Sequence, residues 1–143
     1  MRISTRGRYS LEALLYMALL PPGEYASTRT IAEHTGISEG YLEQLFIALR
    51  RARIVQGIRG PQGGYVLGRE RKSITVGDIL RAVEGSLEPV ECISANGCPL
   101  RQTCGSRQTW LEVYKEIVGC ADSLSLDDLT HSYETLDQIE YMI

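Results

Sequence analysis

From Leu11 to Leu20 the chain reads LEALLYMALL, apolar at every position but Glu12. So continuous an apolar run of strong helix formers predicts a first helix that is buried on most sides. Pro21 ends it, because proline cannot continue the hydrogen-bond ladder. Ser27 or Thr28 caps a short second helix through about His34, which Gly36 closes as a left-handed residue. Ser38 caps the next helix, EGYLEQLFIALRRA. Its apolar positions Tyr41, Leu42, Leu45, Phe46 and Leu49 fall on one stripe. RIVQGI and GYVLG then have strand character, and RGPQG between them supplies the glycines and proline of a hairpin tip. Thr75 and Asp78 make a capping pair for a helix that runs to Glu84 and ends at Gly85. A long helix is expected from near Gly105 to about Asp122, and Ser125 with Asp128 opens a last short one. The fold class expected from this pattern is mainly α with a small β-hairpin.

Two short helices joined by HTGIS are a candidate helix-turn-helix. Ala32 lets the second helix cross closely, Gly36 permits the turn, and Ile37 with Leu42 locks the pair. The second helix can then lie in a major groove with Ser38, Glu39, Tyr41, Glu43 and Gln44 toward base edges. The hairpin that follows makes this a winged helix-turn-helix. Arg59 at its tip suits a narrow minor groove, while Arg6, Arg8, Arg50, Arg51 and Arg53 suit phosphates.

The net charge of −3 argues against a nucleic-acid partner until it is divided along the chain. Residues 1–72 hold eleven Lys/Arg against six Asp/Glu, a balance of +5. Residues 73–143 hold four against twelve, a balance of −8. A basic front half and an acidic back half imply two different surfaces. No nucleophile–base motif or phosphate-binding glycine loop stands out, so an enzyme is not expected. No apolar run is long enough for a membrane span. Three arginines precede the first apolar run as in a signal peptide, but Glu12 interrupts that run and no cleavage site follows, so a cytoplasmic protein is expected.

Cys92, Cys98 and Cys104 sit six apart in CISANGCPLRQTC, and the fourth cysteine is Cys120. In a cytoplasmic chain this favours a metal or redox role over structural disulfides. Thiolates are soft ligands that select iron–sulfur clusters, zinc or Cu(I), and Gly97 and Pro99 let the backbone wrap around an inorganic core.

MRISTRGRYSLEALLYMAL, GISEGYLEQLF, LRRARIVQGIRGPQGGYVLGR and SITVGDILRAVEG closely resemble the IscR-type iron–sulfur cluster regulators, whose relatives include NsrR and CymR. The resemblance covers almost the whole chain. It implies a dimeric winged-helix regulator of a double-stranded DNA operator, with a long C-terminal helix forming the homodimer. It further implies that Cys92, Cys98 and Cys104 ligate an iron–sulfur cluster, 2Fe–2S ahead of zinc. Residues 1–85 would be the DNA-binding domain, 86–104 the cluster-binding loop, and 105–143 the dimerisation helix and C-terminal helix.

In the best-known members a histidine three residues after the third cysteine completes the site; here that residue is Arg107, which stays protonated and cannot serve. Cys120 is a poor substitute, since sixteen residues of helix would place it roughly 24 Å from Cys104. Trp110, Val113, Tyr114, Ile117, Cys120, Ala121 and Leu124 instead form one apolar stripe. Within it Trp110, Tyr114, Ile117 and Ala121 are the expected dimer contacts, and Cys120 a small buried residue. Some relatives recruit an acidic residue from the first helix, where Glu12 is the carboxylate available. Glu12, from either subunit, is therefore a candidate fourth ligand, alongside Glu91 or water. A carboxylate buried on so apolar a helix would need a partner, iron or an arginine. Two alternatives stay open: a CymR-like repressor controlled by a partner protein or thiol oxidation, and a small iron–sulfur or zinc carrier without DNA binding.

Overall fold

In the computed structural model, which describes residues 2–94 and 104–142 and side-chain surroundings as far as residue 137, the first helix starts earlier than its apolar run. Helix α1 spans Thr5–Ala18, because Ser4 accepts a hydrogen bond from the Arg6 N–H and caps it there. Helix α2 spans Thr28–Thr35, with Ser27 capping and Gly36 at φ 75° closing it. Helix α3, Glu39–Arg51, is capped by Ser38. Strands β1 (Val55–Ile58) and β2 (Gly64–Leu67) form an antiparallel pair with Val55 opposite Leu67 and Ile58 opposite Gly64. Helix α4, Val76–Glu84, begins at a reciprocal Thr75–Asp78 capping box. Helices α5 (Arg107–Ser123) and α6 (Leu126–Met142) follow. Single 3-10 turns at Arg71–Ser73 and Glu91–Ile93 were not legible from the sequence pattern.

The core gathers around α3. Of the stripe expected from sequence, Leu42, Leu45, Phe46 and Leu49 are buried against Leu14, Ile31, Ile54, Ile74 and Ile79, and Tyr41 is half-buried at its edge. Each such side chain contributes about 1.5–3 kcal/mol of transfer free energy. Ser125 and Asp128 form the expected capping pair, but the helix they open is not short: α6 runs for 17 residues. It is also tied into the first 85 residues. The Val76 N–H donates to Leu124 O and the Leu126 N–H to Ile74 O, both at 2.8 Å. This two-residue bridge drops Leu126 into the core with no exposed surface.

Candidate nucleic-acid interface and cysteine site

Helices α2 and α3 meet as the sequence implied. Gly36 donates to Ala32 O at 2.9 Å, and Ile37 is buried between the two helices. The outward face of α3 carries Glu39, Glu43 and Gln44, all exposed. Two further expected base readers also make contacts within the chain. Ser38 Oγ accepts the Tyr41 N–H as the helix cap. The half-buried Tyr41 ring meets Tyr9 edge-on at 5.6 Å, and its hydroxyl lies 3.1 Å from Thr5 Oγ1. One residue on this face escaped sequence reasoning: Ile47 is 53% exposed, one turn beyond Glu43. The available signal was that it lies outside the buried stripe of α3. An exposed aliphatic side chain there suits the thymine methyl group.

Behind α3 stands the wing. Ala26 pairs with Tyr65 through two backbone hydrogen bonds of 3.2 and 2.8 Å and adds a third short edge to the hairpin. Glycine is required at Gly64, where a Cβ would fall 2.4 Å from Ala26 O. Arg59 is exposed at the tip, beside Gly60 at φ 115°. A polar cleft of about 480 Å³ lies between the wing and the start of α2, lined by Ser27, Thr28, Arg50, Gly57, Arg59 and Tyr65. Neither Arg50 nor Arg59 has an ion-pair partner among the described residues. Two free guanidinium groups beside a helix N-terminus suit a phosphate oxygen. Ser27 and Thr28 carry only a capping signal in the sequence; their part in this cleft depends on the wing folding back over them. Arg6 and Arg8 are exposed on the first turn of α1, with Arg8 over the Tyr9 ring at 5.6 Å.

Cys92 and Cys104 bracket the cysteine segment; Cys98, with Gly97 and Pro99, lies outside the described residues. Cys92 is half-buried in the Glu91–Ile93 turn, which Ile93 anchors by its own burial. Cys104 is exposed just ahead of α5. Its thiol is held below the ordinary value, first by the Ser106 hydroxyl at 3.3 Å and then by backbone N–H groups and the Arg107 charge. Arg107 reaches both ends of the segment: its guanidinium donates to Cys92 O at 3.5 Å and its backbone N–H to Cys104 O at 3.4 Å. An acidified thiol beside a fixed cation is a donor prepared for a soft metal. The two described cysteines of this segment are thus thiol donors of the soft kind that iron–sulfur clusters and zinc take.

Glu12 departs from expectation. It is exposed, so no buried partner is required, because it sits on the outer face of α1. It lines a shallow cleft of about 290 Å³ with Tyr16, His34 and Tyr133. No three His, Cys, Asp or Glu side chains among the described residues come together as a metal site, so Glu12 does not join Cys92 and Cys104 within one chain.

The α5 stripe also divides. Tyr114, Ile117 and Ala121 pack on Leu80, Leu87 and Val76 of the same chain, and Trp110 is half-buried. Cys120, expected to be buried, is exposed, as are Val113 and Leu124 at 37% and 45%. The stripe is wide enough to cover α4 along one edge and to leave an apolar edge outward. Among the described residues no helix is long and apolar enough to cross a membrane.

Comparison with known proteins matches residues 3–132 to Rrf2, described as an iron-dependent transcriptional regulator. The HTH-type transcriptional regulator IscR of Escherichia coli is 36% identical over 137 residues, covering 96% of this chain and 85% of the relative. Among solved structures, T. potens IscR is 37% identical with a TM-score of 0.76, covering 95% of this chain and 90% of that one. CymR, the global cysteine regulator of B. subtilis, is 39% identical with a TM-score of 0.75, covering 92% and 98%.

Proposed function

We propose that this chain, which belongs to the Rrf2 family of iron-dependent transcriptional regulators, is a cytoplasmic, homodimeric regulator whose hold on its DNA operator is set by an iron–sulfur cluster. In this reading Cys92, Cys98 and Cys104 supply three thiolates to a cluster of the 2Fe–2S type. Glu12 of the partner subunit is a candidate for the fourth position, because its exposure leaves it free to reach across a dimer. The observation that carries the proposal is the placement of Cys104: exposed at one end of the segment, 3.3 Å from the Ser106 hydroxyl, and next to Arg107, whose guanidinium reaches Cys92 O at the other end. The bound cluster would supply a charge and a shape that depend on redox state. The protein's own residues hold the segment ends and present the DNA surface. Glu39, Glu43, Gln44 and Ile47 face base edges, Arg59 enters a minor groove, and Arg6, Arg8 and Arg50 take phosphates. Residues 1–85 act as the DNA-binding unit, 86–104 as the sensor loop, and the outer edge of α5 as the dimer seam. As a family of transcriptional regulators, its members are not enzymes, and a carrier without DNA binding does not agree with that membership.

A second reading has a specific observation behind it. The same exposed, acidified Cys104 suits control by thiol oxidation, as in a CymR-like repressor. One experiment separates the two. Protein purified without oxygen is assayed for absorption, iron and acid-labile sulfide, alongside Cys92→Ser, Cys98→Ser, Cys104→Ser and Cys120→Ser. Equal iron and sulfide in the wild type and in Cys120→Ser, lost in the three loop variants, is the expected outcome. Wild-type protein with neither iron nor sulfide after reconstitution, yet with operator binding that responds to peroxide, would establish the oxidation reading instead.

A further inference from the structure

Glu84 is the last residue of α4, and Gly85 beside it, at φ 87°, turns the chain into the cysteine-bearing segment. A single oxygen of Glu84 receives three donors from the start of α1. The Ser4 backbone N–H and the Gly7 backbone N–H each donate at 3.0 Å, and the Ser4 hydroxyl at 2.5 Å. These partners are 77 to 80 residues away in sequence. The approach is close enough that a side chain at position 7 would displace its neighbours. A Cβ on Gly7 would lie 2.6 Å from Ile3 Cγ2 and 2.9 Å from Glu84 Oε1. An anionic group that accepts from the first N–H groups of a helix is favoured there by the helix dipole as well. Its carboxyl is accordingly held below the ordinary value: burial pushes it up, and the Ser4 and Gly7 hydrogen bonds, with the charge of Arg6, more than offset that.

The same turn of α1 is seated on α3 from its other side. Thr5 Oγ1 meets the Tyr41 hydroxyl, and Tyr9 meets the Tyr41 ring. Tyr41 belongs to the first turn of α3, between Glu39 and Glu43. The first turn of α1 is thus a bridge. One end rests on the residue that precedes the cysteine segment, and the other on the helix that reads DNA. Arg6 and Arg8 project from the bridge itself.

We infer that Glu84 is a positioning residue for operator binding: it transmits the arrangement of the cysteine segment, through Ser4 and Gly7 and then Tyr41, to the DNA-reading surface. This rests on the function proposed above. The coupling element is contiguous and short. A shift of Gly85 moves the Glu84 carboxylate, and three hydrogen bonds oblige the α1 turn to follow or to break. Either outcome changes where Arg6 and Arg8 stand relative to α3.

The test uses the full-length protein with and without its cluster. Operator affinity is measured for both forms at several salt concentrations, together with iron content and melting temperature, for the wild type, Glu84→Ala and Tyr41→Phe. A linkage of this kind changes affinity by about 5–150-fold. In Glu84→Ala the ratio between the two forms is expected to fall to about one while iron content stays at the wild-type value. Its salt slope is expected to drop by about 1–2, since each phosphate contact contributes about 0.9. Tyr41→Phe keeps the ring, loses the hydroxyl, and is expected to reduce the ratio in part. It carries the test alone if Glu84→Ala does not fold. A wild-type ratio and slope retained in Glu84→Ala, with only a lower melting temperature, would reduce Glu84 to a helix cap and overturn the inference; in Tyr41→Phe, retention of both would do the same. If the wild type itself binds equally with and without its cluster, the functional reading fails and this inference goes with it.

Discussion

One chemical change, glycine to alanine, should act in opposite directions at two positions on the DNA-facing side. At Gly64 the added methyl meets backbone: Ala26 O at 2.4 Å, Ala26 C at 2.6 Å and the Ser27 N at 2.8 Å. Backbone atoms cannot rotate away as the end of a long side chain can. The Ala26–Tyr65 bridge must open, with its two hydrogen bonds of 3.2 and 2.8 Å. At about 0.5–1.5 kcal/mol each, their loss costs about 1–3 kcal/mol. Against this, alanine gains about 0.5–1 kcal/mol over glycine within a strand. The net is a destabilisation of up to about 2.5 kcal/mol, centred near 1, which for a chain of this size lowers the melting temperature by about 4 °C at that centre and by about 10 °C at most. Gly40, in the first turn of α3, has nothing within 4 Å of its Cβ position and no positive φ. There alanine restricts only the unfolded chain, and Gly40→Ala should raise stability by up to about 1 kcal/mol. Calorimetry on the two variants and the wild type at one protein concentration decides it. Gly64→Ala melting at or above the wild type, or both variants shifting the same way, would refute the reasoning. Gly64→Ala should also weaken operator binding, because the displaced wing carries Arg59 away from Arg50 and Thr28.

Arg53 sits at φ 60°, where it ends α3 and lets the Ile54 N–H reach Leu49 O at 3.0 Å, so Arg53→Gly should raise stability by about 1 kcal/mol in urea unfolding by relieving left-handed strain. Arg59→Ala should leave the fold unchanged and weaken operator binding by about 1–3 kcal/mol in a fixed-salt titration, the scale of one good base contact. Val113→Glu on the outer edge of α5 should give folded monomers by sedimentation, whereas Ile117→Glu, which also faces α4, should lose folding as well. Acid should loosen the α1–α4 joint. The Glu84 carboxyl titrates lower in the folded chain than its ordinary value of 4.5, so the unfolded chain binds more protons in that window. Its contribution is complete above about 4.5 and fades as the pH falls through the folded value, and Glu84→Gln should flatten that part of an acid unfolding curve.

Much of this fold is written by local physics into neighbouring residues. Ser27, Ser38 and the Thr75–Asp78 pair mark helix starts because a cap bonds an N–H two or three positions on. Gly36 and Gly85 mark helix ends because only glycine takes their backbone angles without strain. The α3 stripe and the hairpin between Val55 and Leu67 were legible for the same reason, as was the spacing of Cys92, Cys98 and Cys104. The rest depends on residues far apart in the chain. Periodicity found the apolar stripe of α5 but not that Tyr114, Ile117 and Ala121 face α4 while Val113, Cys120 and Leu124 face outward. Glu12 looked buried because its neighbours are apolar, yet a helix packed on one side leaves the other in water. The contacts of Tyr41 with Thr5 and Tyr9 exist only because α1 packs against the start of α3. The gathering of Arg50, Arg59 and the start of α2 into one cleft, and the grip of Glu84 on Ser4 and Gly7, have no local signature at all. They arise from the closing of long loops, and a pattern read within a few helical turns carries no record of which distant turn will come to rest beside it.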